Sequence, residues 1–187
     1  MNELLWFTSR ATGIASIVLL TAVLCLGLLT SGRRAPRRSS PAVVMGLHRT
    51  LALGTSAFLL AHIATAVAET YVSIDLVSAV VPFTSGYERA WVGLGTLAVD
   101  VVAALVITSL LRQRLPERVW LGVHVLAYAL WPTAIVHGLA LGTSDQPLLR
   151  GTTVLCAVVG SAALAWRLFH QSVDERRRSQ IAKQEWA

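Results

Sequence analysis

Five long apolar stretches dominate the sequence and constrain its fold more than any other feature. Each is long enough to cross a bilayer core of about 30 Å, which takes about 20 helical residues. Only 14% of the residues are charged, whereas an ordinary soluble domain has about 25%. The predicted spans are Ala11–Thr30, Val43–Ala68, Ala90–Leu111, Val119–Leu141 and Leu149–Phe169. We therefore expect an all-α membrane protein, a bundle of about five transmembrane helices.

The first apolar stretch is interpreted as a retained helix and not as a cleaved signal peptide. Its apolar run is long, its positive charges follow it, and no small-x-small cleavage site stands out. Residues 1–170 are then expected to form one membrane domain, and residues 171–187 a charged cytoplasmic tail. The two cysteines, Cys25 and Cys156, lie in different apolar stretches, so neither a disulfide framework nor a zinc site is indicated.

The arginines predict the orientation of the bundle. Basic residues cluster between the apolar runs, which is typical of a topology signal and argues against nucleic acid as a partner. They are concentrated in two loops and the tail: Arg33, Arg34, Arg37, Arg38, Arg112, Arg114, Arg118, Arg176, Arg177, Arg178 and Lys183. The opposite side carries only Arg10, Arg89 and Arg150. The positive-inside rule then places the N-terminus outside and the C-terminus in the cytoplasm, so that the second and fourth spans run in the same direction.

Four of the five histidines lie inside predicted spans. His48 and His62 are on the second span, and His124 and His137 are on the fourth. Ionisable side chains within a bilayer are costly and are therefore functional candidates. The separations correspond to about 21 Å on the second span and about 20 Å on the fourth. Because the two helices are parallel, His48 should lie level with His124, and His62 with His137.

Each level pair can hold one metal between two facing imidazoles. Two axial histidines without a carboxylate shell fit haem b better than zinc or copper. Several small residues near the ligands, among them Gly46, Gly54, Gly122 and Gly138, would leave room for a flat macrocycle. Small residues are also ordinary in the packing of membrane helices, so they are supporting evidence only.

The rotation around the fourth helix presents a difficulty. At 100° per residue, His48 and His62 lie within about 40° of each other, but His124 and His137 are about 140° apart. Pro132 lies between the latter two, removes a backbone hydrogen bond and can kink or rewind a helix. We expect Pro132 to bring both histidines of the fourth span towards the second span.

Together these residues resemble the ferric reductase-like transmembrane domain, a superfamily that includes ferric reductases, NADPH oxidases and the haem-binding subunit of a periplasmic methionine sulfoxide reductase. The paired His-x13-His and His-x12-His spacing on alternate helices is the specific feature. Local strings agree with it: Leu47-His48-Arg49, Pro82-Phe83, Arg118-x-Trp120-x3-His124, Tyr128-x2-Trp131-Pro132 and His137-Gly138. The similarity covers roughly Trp6 to Asp145, and the chain resembles the short bacterial members closely.

The resemblance implies two b-type haems that pass electrons across the membrane, with the four histidines as axial ligands. It implies the membrane subunit of an oxidoreductase in a bacterial plasma membrane. The expected donor is a cytoplasmic flavoprotein reductase or a quinol, and the expected acceptor is ferric iron or a redox partner outside. The sequence has five spans where larger relatives have six, and it has no room for their flavin and nicotinamide domains. The GxGxxG-like string Gly93–Ala98 follows no strand. We therefore expect no NAD(P)H oxidation by the chain alone.

Four further residues each have a functional and a structural interpretation. Arg10, at the outer end of the first span, resembles an arginine beside the outer haem of NADPH oxidases, but it also fits an interfacial snorkelling residue. Arg49 and Arg118 either contact propionates of the inner haem or only mark the cytoplasmic side. Trp131, midway between the two histidines of its span, either bridges electron transfer or fills core volume.

The competing prediction is a haem-free membrane protein, such as a transporter or an assembly factor, whose histidines handle a metal or protons. A transporter would be expected to show repeat symmetry and interrupted helices in both halves, and neither is visible in the sequence. Asp100, near the middle of the third span, fits a protonated or proton-carrying group, a partner of a ligand imidazole, or a structural aspartate.

Overall fold

The computed structural model describes residues 2–30, 41–69, 72, 74–142 and 146–185, and it describes side chains within 3–29, 42–69, 72, 74–142 and 146–169. The arginine-rich loop at 31–40, on which the predicted orientation partly rests, lies outside the described residues. So do the side chains of the charged segment 171–187.

All regular elements in the described part of the chain are helices: α1 Asn2–Thr30, α2 Pro41–Ala68, α3 Leu76–Val80, α4 Arg89–Leu110, α5 Glu117–His124, α6 Ala127–Leu141 and α7 Pro147–Glu185. Prolines mark several helix starts. Pro41 and Pro147 are the first residues of α2 and α7, and Pro116 immediately precedes α5. Proline suits these positions because its missing N–H would have no helical partner there.

Among the described residues, five helical segments are long and apolar enough to cross a membrane, which confirms the predicted all-α membrane fold: Glu3–Leu29, Ala42–Ala68, Arg89–Leu110, Glu117–Leu141 and Pro147–Phe169. The fourth segment consists of α5 and α6. The fifth belongs to α7, which continues to Glu185, so that most of the charged segment extends this helix.

The bundle is built from two helix pairs, α1–α2 and α4–α6, with α7 packed against α1 and α6. α2 packs mainly against α1, and α4 mainly against α6. The apolar core lies where α1, α6 and α7 meet: Ile17, Leu24, Leu28, Trp131, Ile135 and Cys156. Among the described residues, α2 and α6 have at most a weak contact with each other.

The α3 segment closes the end of the bundle at which α1 begins and α2 ends, called the α3 end below. The Asp75 carboxylate caps α3 by accepting a 2.8 Å hydrogen bond from the Ser78 N–H. The Thr96 hydroxyl of α4 donates to the Ser78 carbonyl at 2.6 Å. The Phe83 ring covers Gly93, also on α4. These contacts tie α3 to the start of α4.

The fourth span is rewound directly after His124. Three N–H groups bond to the carbonyl three residues back instead of four, those of Leu126, Tyr128 and Ala129, at 3.0–3.1 Å. A turn wound at about 3.0 residues advances about 20° more per residue than an α-helix. Since thirteen α-helical residues fall about 140° short of a whole number of turns, this extra winding brings His137 closer to the direction of His124. The expected rewinding between the two histidines is present, one turn before Pro132, which lies inside α6. That Pro132 causes it stays a prediction, since a proline removes the helical hydrogen bond of the turn that precedes it.

Candidate functional site

A cavity of about 800 Å³ lies between the two helix pairs at the α3 end. His62 from α2 and His137 from α6 both line it, with ring centres 6.5 Å apart and ring planes at 81°. The lining extends along α1 as far as Leu20 and along α2 as far as Thr55. Ligand and cofactor pockets are typically about 300–1,000 Å³, so this cavity has the size of a cofactor site.

The distance between the two rings suits two ligands of one metal. A bond between a metal and an imidazole nitrogen is about 2.0 Å long, so two rings on opposite sides of one metal have centres roughly 6 Å apart. The observed 6.5 Å is close to this value. Among the described residues, no group of three or more His, Cys, Asp or Glu side chains could hold a metal ion. The candidate metal ligands at this site are therefore two imidazoles.

A hydrogen bond determines which nitrogen of each ring is free. Nδ1 of His62 donates to the Ser9 carbonyl at 2.7 Å, and Nδ1 of His137 donates to the Trp91 carbonyl at 2.8 Å. Because a carbonyl oxygen only accepts, Nδ1 carries the proton and Nε2 keeps its lone pair. This arrangement is typical of metal-binding histidines, whose backbone partner orients the ring and raises its basicity.

His48, at the other end of α2, is held in the same way. Its Nδ1 donates to the Val23 carbonyl at 3.1 Å. Ser9 and Val23 both belong to α1 and are 14 residues apart, the same separation as His48 and His62 on α2. Helix α1 therefore offers two carbonyls in register with the two histidines of α2.

A glycine four residues after each accepting carbonyl lets the imidazole reach it. A helical Cβ tilts towards the N-terminus, so a side chain at position i+4 would cover the carbonyl of residue i. A Cβ at Gly13 would lie 3.0 Å from Nδ1 of His62. One at Gly95 would lie 2.6 Å from Nδ1 of His137. We call each such combination a carbonyl–glycine pair; the three are Ser9–Gly13, Val23–Gly27 and Trp91–Gly95.

The glycines that the sequence suggested near the ligands are not the ones that contact the rings. A Cβ built at Gly46 or Gly122 would meet no described side chain within 4 Å, and Gly138 faces Ile17. The signal that could have identified Gly13 and Gly27 is their separation of 14 residues on α1, because it repeats the separation of the α2 histidines.

His124 is held differently from the other three histidines. Its Nδ1 is buried and has no hydrogen-bond partner among the residues that the structure describes. Its ring stacks on Trp120, with centres 4.6 Å apart and planes at 24°, and the Arg112 guanidinium lies 4.5 Å from the centre of the Trp120 ring. His48 is near enough to act electrostatically on His124. Neither member of this second pair lines the cavity at the α3 end.

Arg10 lies in the wall of the cavity at the α3 end. Its guanidinium donates to the Leu141 carbonyl at 3.2 Å and lies 4.4 Å from the centre of the Trp6 ring. Its Nε is buried and has no hydrogen-bond partner among the described residues. Arg10 therefore retains a donor for one more acceptor at this site.

The other candidate residues lie away from this cavity. Arg49 and Arg118 are exposed, and so is Asp100 on α4. Trp131 is only 4% exposed and lies in the apolar core, where its Nε1 donates to the Thr21 hydroxyl at 3.0 Å. None of these four candidates is among the residues that line the cavity.

Comparison with known proteins identifies the family. A family model for the ferric reductase like transmembrane component matches residues 12–135. The matched segment contains His48, His62 and His124 and ends two residues before His137. No curated protein and no solved structure matches the chain. Because the family match covers well over half of the 187 residues, the chain belongs to the family of ferric reductase-like transmembrane components, as its histidine spacing suggested.

Proposed function

We propose that the chain is a di-haem b-type cytochrome that carries electrons across the membrane. Its family points to transmembrane electron transfer in general. The observation that carries the haem assignment is the pair His62 and His137, whose ring centres are 6.5 Å apart in a cavity of about 800 Å³. Both rings keep Nε2 free for a metal because Nδ1 is bonded to a backbone carbonyl.

His48 and His124 form the second proposed ligand pair. His48 also keeps Nε2 free for a metal, because its Nδ1 bonds to a backbone carbonyl. The imidazoles of His48 and His124 are near enough to interact electrostatically. Fourteen residues on α2 separate the two levels by about 21 Å along the helix. Haem b, when bound, supplies a one-electron couple between ferric and ferrous iron.

The chain's own contribution is to hold the ligands still and to keep water away. The Ser9 and Trp91 carbonyls fix the planes of His62 and His137, so these imidazoles need not reorient when the charge on the iron changes. Apolar side chains of α1, α2, α4 and α6 surround them. Such a shell controls solvent access and therefore the redox potential.

The charged candidates have proposed roles at the edges of the two sites. Arg10 would bind a haem propionate at the α3 end, which its unpaired Nε and its place in the cavity wall support. Arg49 and Arg118 would contact propionates at the other level, since they lie on the helices that carry His48 and His124. The position of Trp131 midway between His124 and His137 supports its proposed role as a bridge for electron transfer. Its burial and its hydrogen bond to Thr21 support a packing role.

We propose that electrons enter at His48–His124 and leave at His62–His137. The donor would be a cytoplasmic flavoprotein reductase or a quinol, and the acceptor ferric iron or a redox partner outside a bacterial plasma membrane. The arginine distribution supports this direction, because it predicts that the N-terminus is outside.

Cysteine labelling tests the direction. In intact cells, a membrane-impermeant maleimide should label Thr84→Cys, in the loop after α3, and should label Ser39→Cys only after lysis. The wild-type chain controls for the two native cysteines, which both lie inside spans. The reverse labelling pattern would exchange the entry and exit sites.

Haem content tests the central proposal. The purified chain should contain two b-type haems, and His62→Ala should lose one and retain the other. His170→Ala, which changes the fifth histidine, on α7, should retain both. A haem-free wild-type protein from haem-replete cells would contradict the proposal and favour the metal or proton alternative.

A further inference from the structure

His124 lacks the restraint that orients the other three histidines. It is the last residue of α5, directly before the rewound turn of the fourth span. Helix α4 contains no glycine between Gly95 and its end at Leu110, so it offers no second carbonyl–glycine pair at this level. Within the described part of the chain, the buried Nδ1 of His124 accordingly has no hydrogen-bond partner. An imidazole without such a bond can rotate about its side-chain torsions unless packing prevents it.

Trp120 makes the contact that prevents this rotation. It precedes His124 by four residues, so the two side chains lie on the same face of α5. The rings are nearly parallel, at 24°, and their centres are 4.6 Å apart. Turning the imidazole out of this plane would drive its edge into the face of the indole. Stacking therefore limits the ring plane of His124 where no backbone acceptor does.

Arg112 lies in the turn that follows α4 and contacts Trp120. Its guanidinium carbon lies 4.5 Å from the centre of the Trp120 ring, which is the geometry of a cation–π contact. Arg112 is exposed, whereas Trp120 is half-buried. The contact thus links the α4–α5 connection to the indole, and through the indole to the imidazole.

We propose that Trp120 is the positioning residue of His124 and that Arg112 keeps Trp120 in place. The inference rests on the proposed haem ligation by His48 and His124. It has a chemical consequence, because a hydrogen-bonded Nδ1 makes an imidazole a more basic ligand. His124, without that bond, is the weakest donor among the four ligands, and the haem it holds depends most on the stacked tryptophan.

The ring orientation can be read from the electron paramagnetic resonance of the oxidised protein, since the low-spin ferric signal depends on the angle between the two imidazole planes. Trp120→Leu should shift the signal of one haem and leave the other unchanged. It should also release that haem about 10-fold more readily, which is the usual size of an outer-shell effect on metal affinity. Trp120→Phe keeps an aromatic face and should retain the wild-type signal, and Arg112→Gln should give a smaller shift of the same signal.

A matched control is Trp166→Leu, which removes a tryptophan that is 51% exposed on α7 and should leave both signals unchanged. If the Trp120→Leu protein retains both haems and both of its signals are unchanged, the inference is overturned and the proposed function stays intact. A wild-type protein without haem would overturn the proposed function instead. If Trp120→Leu is not recovered from membranes, Trp120→Met, which also lacks a ring, takes its place with the same expected shift and the same contradicting result.

Discussion

The imidazole of His137 occupies the space that a side chain at Gly95 would need. A Cβ at residue 95 would lie 2.6 Å from Nδ1 of His137, while that same nitrogen donates to the Trp91 carbonyl one turn earlier. Only glycine, which has no Cβ, permits this approach. The orientation of a candidate ligand on α6 is therefore decided by a glycine on α4.

Gly95→Ala should displace His137 and weaken haem binding at the α3 end. The methyl group would overlap the ring and break its bond to the Trp91 carbonyl, and losing such a partner typically costs about 10–100-fold in metal affinity. Gly13→Ala should have a smaller effect on His62, because its Cβ would lie 3.0 Å from the ring. Gly27→Ala should have the smallest, because its Cβ would lie 3.5 Å from the ring of His48. Haem content and haem release of the purified variants measure this order.

Gly151→Ala is the control for this series, because Gly151 is exposed on α7, away from the four histidines, and a Cβ there would meet no described side chain within 4 Å. This variant should bind haem as the wild type does. Equal haem retention in Gly95→Ala and in this control would refute the carbonyl–glycine explanation of the ligand geometry.

Thr21→Val should destabilise the helix bundle by about 1–3 kcal/mol, the usual cost of leaving a buried donor unsatisfied. Thr21 is 4% exposed, and its hydroxyl accepts the 3.0 Å hydrogen bond from Nε1 of Trp131. Thr21→Ser keeps the hydroxyl and should preserve most of the stability. Thermal unfolding in detergent compares the two variants, and the hydrogen bond would be unimportant if both unfolded at the same temperature.

Arg10→Gln should lower the reduction potential of the proposed haem at the α3 end. Removing a positive charge beside the site favours the oxidised iron, which carries one more positive charge than the reduced form. Arg10→Lys keeps the positive charge and should therefore lower the reduction potential less than Arg10→Gln does. Arg89→Gln changes an exposed arginine that does not line the cavity and should have no effect. A redox titration measures these shifts, and an unchanged potential in Arg10→Gln would leave Arg10 as an interfacial residue.

The cap of α3 should weaken in acid. Hydrogen bonds from the Ser78 side chain and its backbone N–H hold the pKa of Asp75 below its usual value of 3.8. A group with a lowered folded-state pKa stabilises the fold fully above its unfolded value and loses this contribution as the pH falls through the folded value. Amide protection of α3 should therefore decrease below about pH 4. In Asp75→Ala, the amide protection of α3 should be low at every pH. Hydrogen exchange corrected for the intrinsic rates tests this, and a persisting pH dependence in Asp75→Ala would assign the effect to another group.

Much of the fold was predictable because the relevant properties are local to each segment. The five spans were predicted from apolar length alone, and most of their ends differ by only a few residues from those of the structure. The family followed from the spacing of the histidines, and the match over residues 12–135 confirmed it. The position of the rewound turn was not predictable. The sequence shows Pro132, but it does not show which backbone N–H groups after His124 bond to the carbonyl three residues back.

The separation of the two histidines on each span could be predicted from the sequence, since it follows from counting residues at about 1.5 Å each along an α-helix. What each side chain faces could be read only from the packed helix bundle. The packing turned Trp131 into the core against Thr21 and Asp100 to an exposed face of α4. It also gave His62 and His137 backbone partners that His124 lacks. The physical reason is that the direction of a side chain around its helix depends on how neighbouring helices pack and on local winding, and neither is encoded in the order of residues along one segment.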